Sequence, residues 1–305
     1  MTVTLNQIQS FLAVTRSGSV SGAAEELVVT QPSVSAALRA LSRELGVELT
    51  ERSGRGIRLS PAGRAFLPFA SSVLGQLEQG RQAAREAAGR SASLVRIAAV
   101  TTAGEYLAPP LVQAFRSHHP GVELTLEVAN RERVFRWVLD HEADVAIGGR
   151  APGDDRLVGE PFLTNELVLI TSRDDPLAGR RDVPIAELAE RTWLLREEGS
   201  GTRSMIEELL ALNGLRPRTL PFGSNGAIKH AVRIGLGVSL QSRIAVELEL
   251  RTGMLAAIGL REGLPERQWY ALRSAVGPQR PLVADFLAFV HTPEARAAIE
   301  AAQRL

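Results

Sequence analysis

Apolar residues at Leu5, Ile8, Phe11 and Leu12 recur close to every 3.6 positions and stop at Ser17-Gly18, which predicts a short helix ended by a left-handed glycine. A two-turn helix is expected from a Ser19 cap through Ala23, Ala24 and Leu27. A third runs from a Thr30 cap through Val34, Leu38, Leu41 and Leu45 to Gly46, and Pro32 fits its first turn because no intrahelical bond needs that N–H. Val47–Leu49 and Ile57–Leu59 read as brief strands around the hairpin tip Glu51-Arg52-Ser53-Gly54-Arg55-Gly56. Pro61 opens a long helix expected to about Arg90, with an apolar stripe of Phe66, Phe69 or Ala70, Val73, Leu77, Ala84 and Ala88. No large core is adjacent in sequence, so the stripe predicts burial against the same helix of a second copy. Gly89-Arg90-Ser91-Ala92-Ser93 is the expected hinge to the larger C-terminal part of the chain.

From Leu94 the pattern changes to alternating strands and helices. Strands are predicted at 94–100, 122–128, 144–147 and 157–162, with helices at about 104–118 and 131–140. A second unit begins near Asn165, with strands at 166–171, 193–196, 218–222 and 238–241 and helices at 184–190, 202–213 and 225–235. A strand at 268–275 and a helix at 281–290 return to the first unit. The expectation is two lobes joined by crossovers, each with a mainly parallel sheet, and a ligand between them at the C-terminal ends of the strands.

Length and composition narrow this picture. The chain has 305 residues, 45% hydrophobic and 23% charged, which suits about two soluble domains with a substantial core. The absence of cysteine excludes disulfides, thiolate nucleophiles and Cys-ligated metals. The first residues carry no secretory pattern and no stretch reaches about 18 uncharged apolar residues, so a cytoplasmic protein without a membrane partner is expected. Net charge is only +1, but residues 1–90 hold ten Arg against seven Glu, placing any basic face at the N-terminus.

Two short helices separated by Val28-Val29-Thr30 have the spacing of a helix-turn-helix. Thr30, Gln31, Ser33, Ser35 and Arg39 would then lie near the major groove, where glutamine can read adenine, and Arg52, Arg55 and Arg58 of the hairpin would reach phosphates. A small three-helix domain without DNA contacts fits the same spacing. In the second half, Thr101-Thr102 and Ser200-Gly201-Thr202-Arg203 each begin a helix after a strand, where hydroxyls and free N–H groups can cradle an anion. Arg150, Asn225 and Lys229 are candidate walls. Serine and threonine at helix starts are also ordinary caps. The five histidines lack metal-ligand spacing, no nucleophile elbow accompanies Ser200, Ser204 and His230, and no Gly-rich dinucleotide fingerprint follows the first strand, so neither metal, resident cofactor nor catalytic residues are expected. The rival from another class is a cytoplasmic solute-binding protein whose N-terminal domain mediates assembly.

Phe11-Leu-Ala-Val, Gly18-Ser-Val-Ser-Gly-Ala-Ala-Glu-Glu-Leu, Thr30-Gln-Pro-Ser-Val-Ser, Leu45-Gly-Val-Glu-Leu and Leu59-Ser-Pro-Ala-Gly-Arg resemble the LysR-type transcriptional regulators. The resemblance implies an α+β multidomain chain. Its parts would be a winged helix-turn-helix over 1–65, a dimerising linker helix over 66–90, and a two-lobed α/β, periplasmic-binding-protein-like effector domain over 91–305. Lobe I would comprise 91–162 and 266–305, and lobe II 163–265. It further implies dimers of dimers on double-stranded inverted repeats, activation of a divergent promoter, frequent autoregulation and RNA polymerase as a partner. Thr50 departs from an aromatic residue usual in the family, and Ala36-Ala37 from longer polar ones, which shifts specificity toward Gln31, Ser33, Arg39 and DNA shape. Thr101-Thr-Ala-Gly-Glu-Tyr-Leu, Ala129-Asn-Arg-Glu-Arg-Val, Ala146-Ile-Gly-Gly-Arg and Arg196-Glu-Glu-Gly-Ser-Gly-Thr-Arg look like the branch that includes regulators of Calvin–Benson carbon fixation and related sulfur-assimilation regulators. For that branch the implied effectors are small anions: phosphorylated sugars, phosphoenolpyruvate, nicotinamide nucleotides or sulfate. Such an effector between the lobes would bias their closure and, through the linker helix, the DNA-bound form.

Overall fold

A computed structural model of the protein describes residues 2–54, 56–89, 93–151, 153 and 155–303. The chain divides into two compact units, Met1–Ser91 with Leu139–Glu142, and Ala92–Val138 with Ala143–Leu305.

The first unit is built on α1 (Leu5–Ser17), α2 (Val20–Leu27) and α3 (Gln31–Leu45), started by the hydroxyls of Thr4, Ser19 and Thr30. Each cap satisfies an N–H that the helix cannot. Phe11, Val14, Val34, Leu38 and Leu41 close a core over which an antiparallel hairpin, β1 (Thr50–Ser53) and β2 (Gly56–Leu59), forms the wing. The expected strand at Val47–Leu49 is displaced to Thr50, because Leu49 is drawn into the core, 1% exposed. The long helix α4 (Pro61–Ala87) starts from a Ser60 cap, and its third residue has to be glycine, since a Cβ on Gly63 would lie 2.0 Å from the Leu49 carbonyl oxygen. Its stripe divides in two. Phe66 and Ala70 join the local core, with the Phe66 ring 5.5 Å from that of Phe11, whereas Phe69, Val73 and Leu77 face solvent. A local core therefore does cover the first turns of α4. Residues 90–92 of the expected hinge lie outside the described residues.

The second unit runs β3 (Ser93–Val100), α5 (Thr101–Tyr106), α6 (Ala108–His118), β4 (Val122–Ala129), α7 (Arg131–Leu139), β5 (Val145–Gly148), β6 (Leu157–Thr164) and β7 (Leu167–Ser172). It continues with β8 (Trp193–Arg196), α8 (Gly201–Leu212), β9 (Thr219–Phe222), α9 (Asn225–Arg233), β10 (Ser239–Ser242), α10 (Arg243–Arg251) and β11 (Leu255–Ile258), and closes with β12 (Gln268–Ser274), α11 (Pro281–Phe289) and α12 (Pro293–Gln303). Lobe I is a sheet in the order β4-β3-β5-β12-β6. In lobe II, β10-β7-β11 continues through a Trp193–Val238 bridge into the parallel pair β8-β9. Among the described strands, only the one that a crossover delivers to each lobe opposes its neighbours: β12 runs antiparallel to β5 and β6, and β7 to β10 and β11. The sheets are therefore mixed where mainly parallel ones were expected, because a crossover from the other lobe delivers its strand in the opposite sense. The single helix expected over 104–118 is two, α5 and α6, broken before Pro109-Pro110, which lack the N–H groups a continuous helix would need. The helix expected at 184–190 is one short turn of 3₁₀ type, Ile185–Leu188. No described helix is long and apolar enough to cross a membrane.

Lobe I is pinned by Asp144 at the start of β5. Its carboxylate, 1% exposed, meets Arg96 of β3 at 2.9 Å and Arg280, the residue before α11, at 2.7 Å. Removing one charge from such a group strands the others in low dielectric. Asp144→Asn is expected to lower the unfolding free energy by about 3–5 kcal/mol in urea titration; a loss within about 1 kcal/mol, the range of an exposed pair, would refute this role.

Candidate nucleic-acid interface and ligand cleft

On α3, Val34, Leu38 and Leu41 form the buried line, so at about 100° per residue Pro32, Ala36, Arg39 and Arg43 fall on the opposite, outward face. Gln31, Ser33 and Arg39 are exposed and Ser35 is half-buried. The hydroxyls of Thr30 and Ser33 bond each other at 2.8 Å, and the Gln31 amide donates to Ser21 Oγ at 3.3 Å. In the wing, register places Arg58 opposite Glu51, with which it pairs at 2.9 Å, while Arg52 is opposite Ile57 and exposed. Arg55 lies outside the described residues. Arg43, exposed one turn beyond Arg39, joins the cationic face and was not among the sequence candidates.

In the second unit, chain segments leaving the C-terminal ends of β3, β4, β5, β8 and β10 converge on a solvent-connected cleft. Thr101, Thr102, Ser200, Gly201 and Thr202 line it together. Ser200 precedes α8, yet its hydroxyl makes no cap bond, which leaves both the hydroxyl and the first N–H groups of α8 for a ligand. Asn225 is buried behind this wall.

Two kinds of arginine border the cleft. Arg196, at the end of β8 and 3% exposed, is compensated: it donates to both oxygens of Glu197 at 2.8 and 2.9 Å, to Asn225 Oδ1 at 2.6 Å and to Thr101 Oγ1 at 3.2 Å. Asn225 in turn donates to Thr102 Oγ1 at 3.1 Å and Glu105 Oε2 at 3.3 Å, so the network joins lobe II to the first helix of lobe I. Arg131 and Arg267 are not compensated. Arg131 donates to the Arg150 carbonyl at 3.0 Å and stands 5.0 Å over the Phe135 ring, and Arg267 reaches only the Met205 sulfur at 3.7 Å. Burial lowers the pKa of both, and the Arg131 charge lowers that of Arg267 further. The Arg267 guanidinium fits between two glycine backbones, since a Cβ on Gly149 or Gly201 would approach its Nη2 to 2.8 or 2.9 Å.

The structure does not bring every candidate to this cleft. Arg203 is turned along α8 to Glu207 at 2.8 Å, the usual partner one helical turn on. Lys229 faces α10, bonded to Glu249 at 2.7 Å and to the Ala245 carbonyl at 3.0 Å. Arg150 lines an adjoining cavity. The residues missed by sequence reasoning, Asn130, Arg131, Arg196 and Arg267, carried one usable signal: the first three lie at or just beyond the C-terminal ends of β4 and β8. Arg267 precedes β12 and had none. Among the described residues no group of three or more His, Asp or Glu is arranged to hold a metal ion.

Known proteins match both units. The bacterial regulatory helix-turn-helix protein, lysR family, matches residues 5–64, and the LysR substrate binding domain matches residues 88–293. A RuBisCO operon transcriptional regulator from Allochromatium vinosum is 37% identical over 97% of this chain and 98% of its own length. The regulatory domain of CcmR from Synechocystis PCC6803, solved in complex with 2-PG, is 34% identical, covers 65% of this chain and 96% of that domain, and superposes with a TM-score of 0.62. Full-length CbnR, solved with its target DNA, shares the fold at 22% identity and a TM-score of 0.64 over 97% of this chain and 99% of its own.

The Lys229 contact has a pH signature. Burial alone would lower the lysine pKa, but the hydrogen bond to Glu249 and the charges of Tyr106 and Glu249 outweigh it and leave the value raised. A base raised on folding contributes stability that is complete below its unfolded pKa and is lost as the pH climbs through the folded one. Glu249→Gln should therefore cost roughly 1–3 kcal/mol at neutral pH in urea unfolding, and the gap from the parent should narrow above the ordinary lysine range. A gap independent of pH would overturn this assignment.

Proposed function

The chain belongs to the LysR family of DNA-binding transcriptional regulators, and we propose that a small anionic metabolite, bound in the cleft between its lobes, modulates its promoter binding or activation. The carrying observation is the Arg131–Arg267 pair: two guanidinium groups crowded together without a carboxylate partner, beside the free N–H groups of α8 and the hydroxyls of Thr101, Ser200 and Thr202. The CcmR domain, similar over this region, was solved with 2-PG, which supports a small ligand here. The similarity to a RuBisCO operon regulator supports carbon-fixation genes as targets.

In this reading Thr30, Gln31, Ser33, Ser35 and Arg39 address base edges, while Arg52, Arg55 and Arg58 hold phosphates. The exposed stripe Phe69, Val73 and Leu77 on α4 meets its counterpart in a second copy, giving a dimer, and pairs of dimers on inverted repeats. The protein works in the cytoplasm with RNA polymerase as its downstream partner and performs no catalysis itself.

Footprinting of the upstream DNA with and without anionic metabolites tests this. One metabolite should alter the extent of the parent's footprint, and Arg267→Gln should keep the metabolite-free footprint but abolish the change; a parent footprint unmoved by every anion tried would sink the proposal. Thermal unfolding gives an independent reading, because the lowered pKa means the folded cleft disfavours the Arg267 charge until an anion offsets it. Arg267→Gln should be at least as stable as the parent in anion-free buffer, and should lose the roughly 2.7 kcal/mol that a hundredfold excess of ligand over Kd confers on the parent. On the DNA side, Arg52→Ala should weaken binding to all sequences alike and flatten the slope of log K against log salt by about 0.9.

A further inference from the structure

Of the chain's 35 lysine and arginine residues, 34 are arginine and one, Lys229, is lysine. Arginine serves at every other such position, buried at Arg196 and exposed on α3 and α4, so charge alone does not account for a lysine at 229. The Lys229 ammonium stands where three helices meet. Nζ reaches Glu249 at 2.7 Å and the Ala245 carbonyl at 3.0 Å, both on α10, and the hydroxyl of Tyr106, the last residue of α5, at 3.5 Å. The Tyr106 hydroxyl donates in turn to the same Ala245 carbonyl at 3.4 Å. A compact ammonium can turn its three donors toward these three acceptors, whereas a guanidinium is a longer, flat fork.

Helix α5 depends on such outside bonds. It has six residues and no side-chain cap at its start, so little of its own structure fixes it. On one side Gly104 fits against β4, where a Cβ would lie 2.5 Å from Val128 Cγ2. On the other side stands α9, whose Asn225 donates to Thr102 and Glu105, and Lys229 follows one turn later on the same face. Lys229 thus ties down the far end of a helix whose first residues, Thr101 and Thr102, line the cleft.

We propose that Lys229 is a positioning residue for the cleft: its ammonium clamps the end of α5 onto α10 and so sets where the Thr101 and Thr102 hydroxyls stand, a task that arginine does not perform. This rests on the cleft reading above and adds the residue that holds its wall.

Hydrogen exchange of the full chain, read by mass spectrometry in the parent, Lys229→Arg and Tyr106→Phe, tests the clamp. Each variant should speed exchange of the α5 amides by about tenfold, the worth of one charge-assisted hydrogen bond, and leave β3 and β8 at the parent rate. A uniform rise across the second unit would reveal a general loss of stability, and an unchanged α5 would reveal no hold; either overturns the proposal. Should Lys229→Arg fail to fold, Tyr106→Phe decides by the same pattern. Isothermal titration with inorganic phosphate reads the consequence for the cleft. Lys229→Arg should weaken phosphate binding by about two- to thirtyfold, the range for residues that touch no ligand. Parent-like affinity in a variant with a loosened α5 would overturn the link from clamp to cleft. A parent that binds no phosphate would count against the cleft reading instead, and the exchange pattern would still decide the clamp.

Discussion

The second unit depends on how one buried charge is satisfied. Arg196 ends a strand of lobe II at 3% exposure, and an unpaired guanidinium at that depth would cost several kcal/mol. Four of its five N–H donors are used: Glu197 takes two bonds, Asn225 one and Thr101 one. Because Thr101 starts α5 in the other lobe, neutralising the charge and joining the lobes are the same set of bonds. Asn225 extends the junction to Thr102 and Glu105, and Lys229 adds a contact with the Tyr106 hydroxyl at 3.5 Å. A single short helix, α5, thus carries the polar seam on which the cleft is assembled.

The same cleft holds arginines treated in the opposite way. Among the described residues Arg131 and Arg267 form no ion pair with a carboxylate, and burial lowers the pKa of both. Such an arrangement persists only where the surrounding fold over-determines it. Here the second guanidinium is held between the Gly149 and Gly201 backbones, close enough that even a methyl group at either position would displace it. Compensation builds the scaffold and, on the proposed reading, its absence builds the binding chemistry, within one site and with one residue type.

That division explains what could be read from the sequence. Period and caps placed the three N-terminal helices because each signal is local: Thr4, Ser19 and Thr30 bond N–H groups within three residues. The same locality found Thr101, Ser200 and Thr202. It failed where the pattern was ambiguous. In α10, Ile244, Val246, Leu248 and Leu250 alternate with Ala245, Glu247 and Glu249, which looks like a strand. In α12 the run of alanines carries little periodic contrast, and the four-residue β11 is too short to show any. It failed most instructively for charge. Arg203 directly follows Ser200-Gly201-Thr202 and so reads as a candidate, yet Glu207 four residues on claims it. Whether an arginine is available depends on which carboxylates the fold brings near it, and for Arg267 that is settled by residues more than sixty positions away.

On the proposed reading, the uncompensated pair is also where the cleft would respond to an anion. Arg131 and Arg267 belong to the lobe I side, Gly201 to the start of a lobe II helix whose N-terminus is itself electropositive. In the structure that helix end lies against the pair, with Gly201 beside the Arg267 guanidinium, so like charge meets like charge there. A ligand shifts a conformational equilibrium only by the difference in its affinity for the two states. On the proposed reading, an anion at this junction would offset that repulsion. The Arg196 network needs no such offset, because its own carboxylate, amide and hydroxyl partners hold the polar seam of the lobes together.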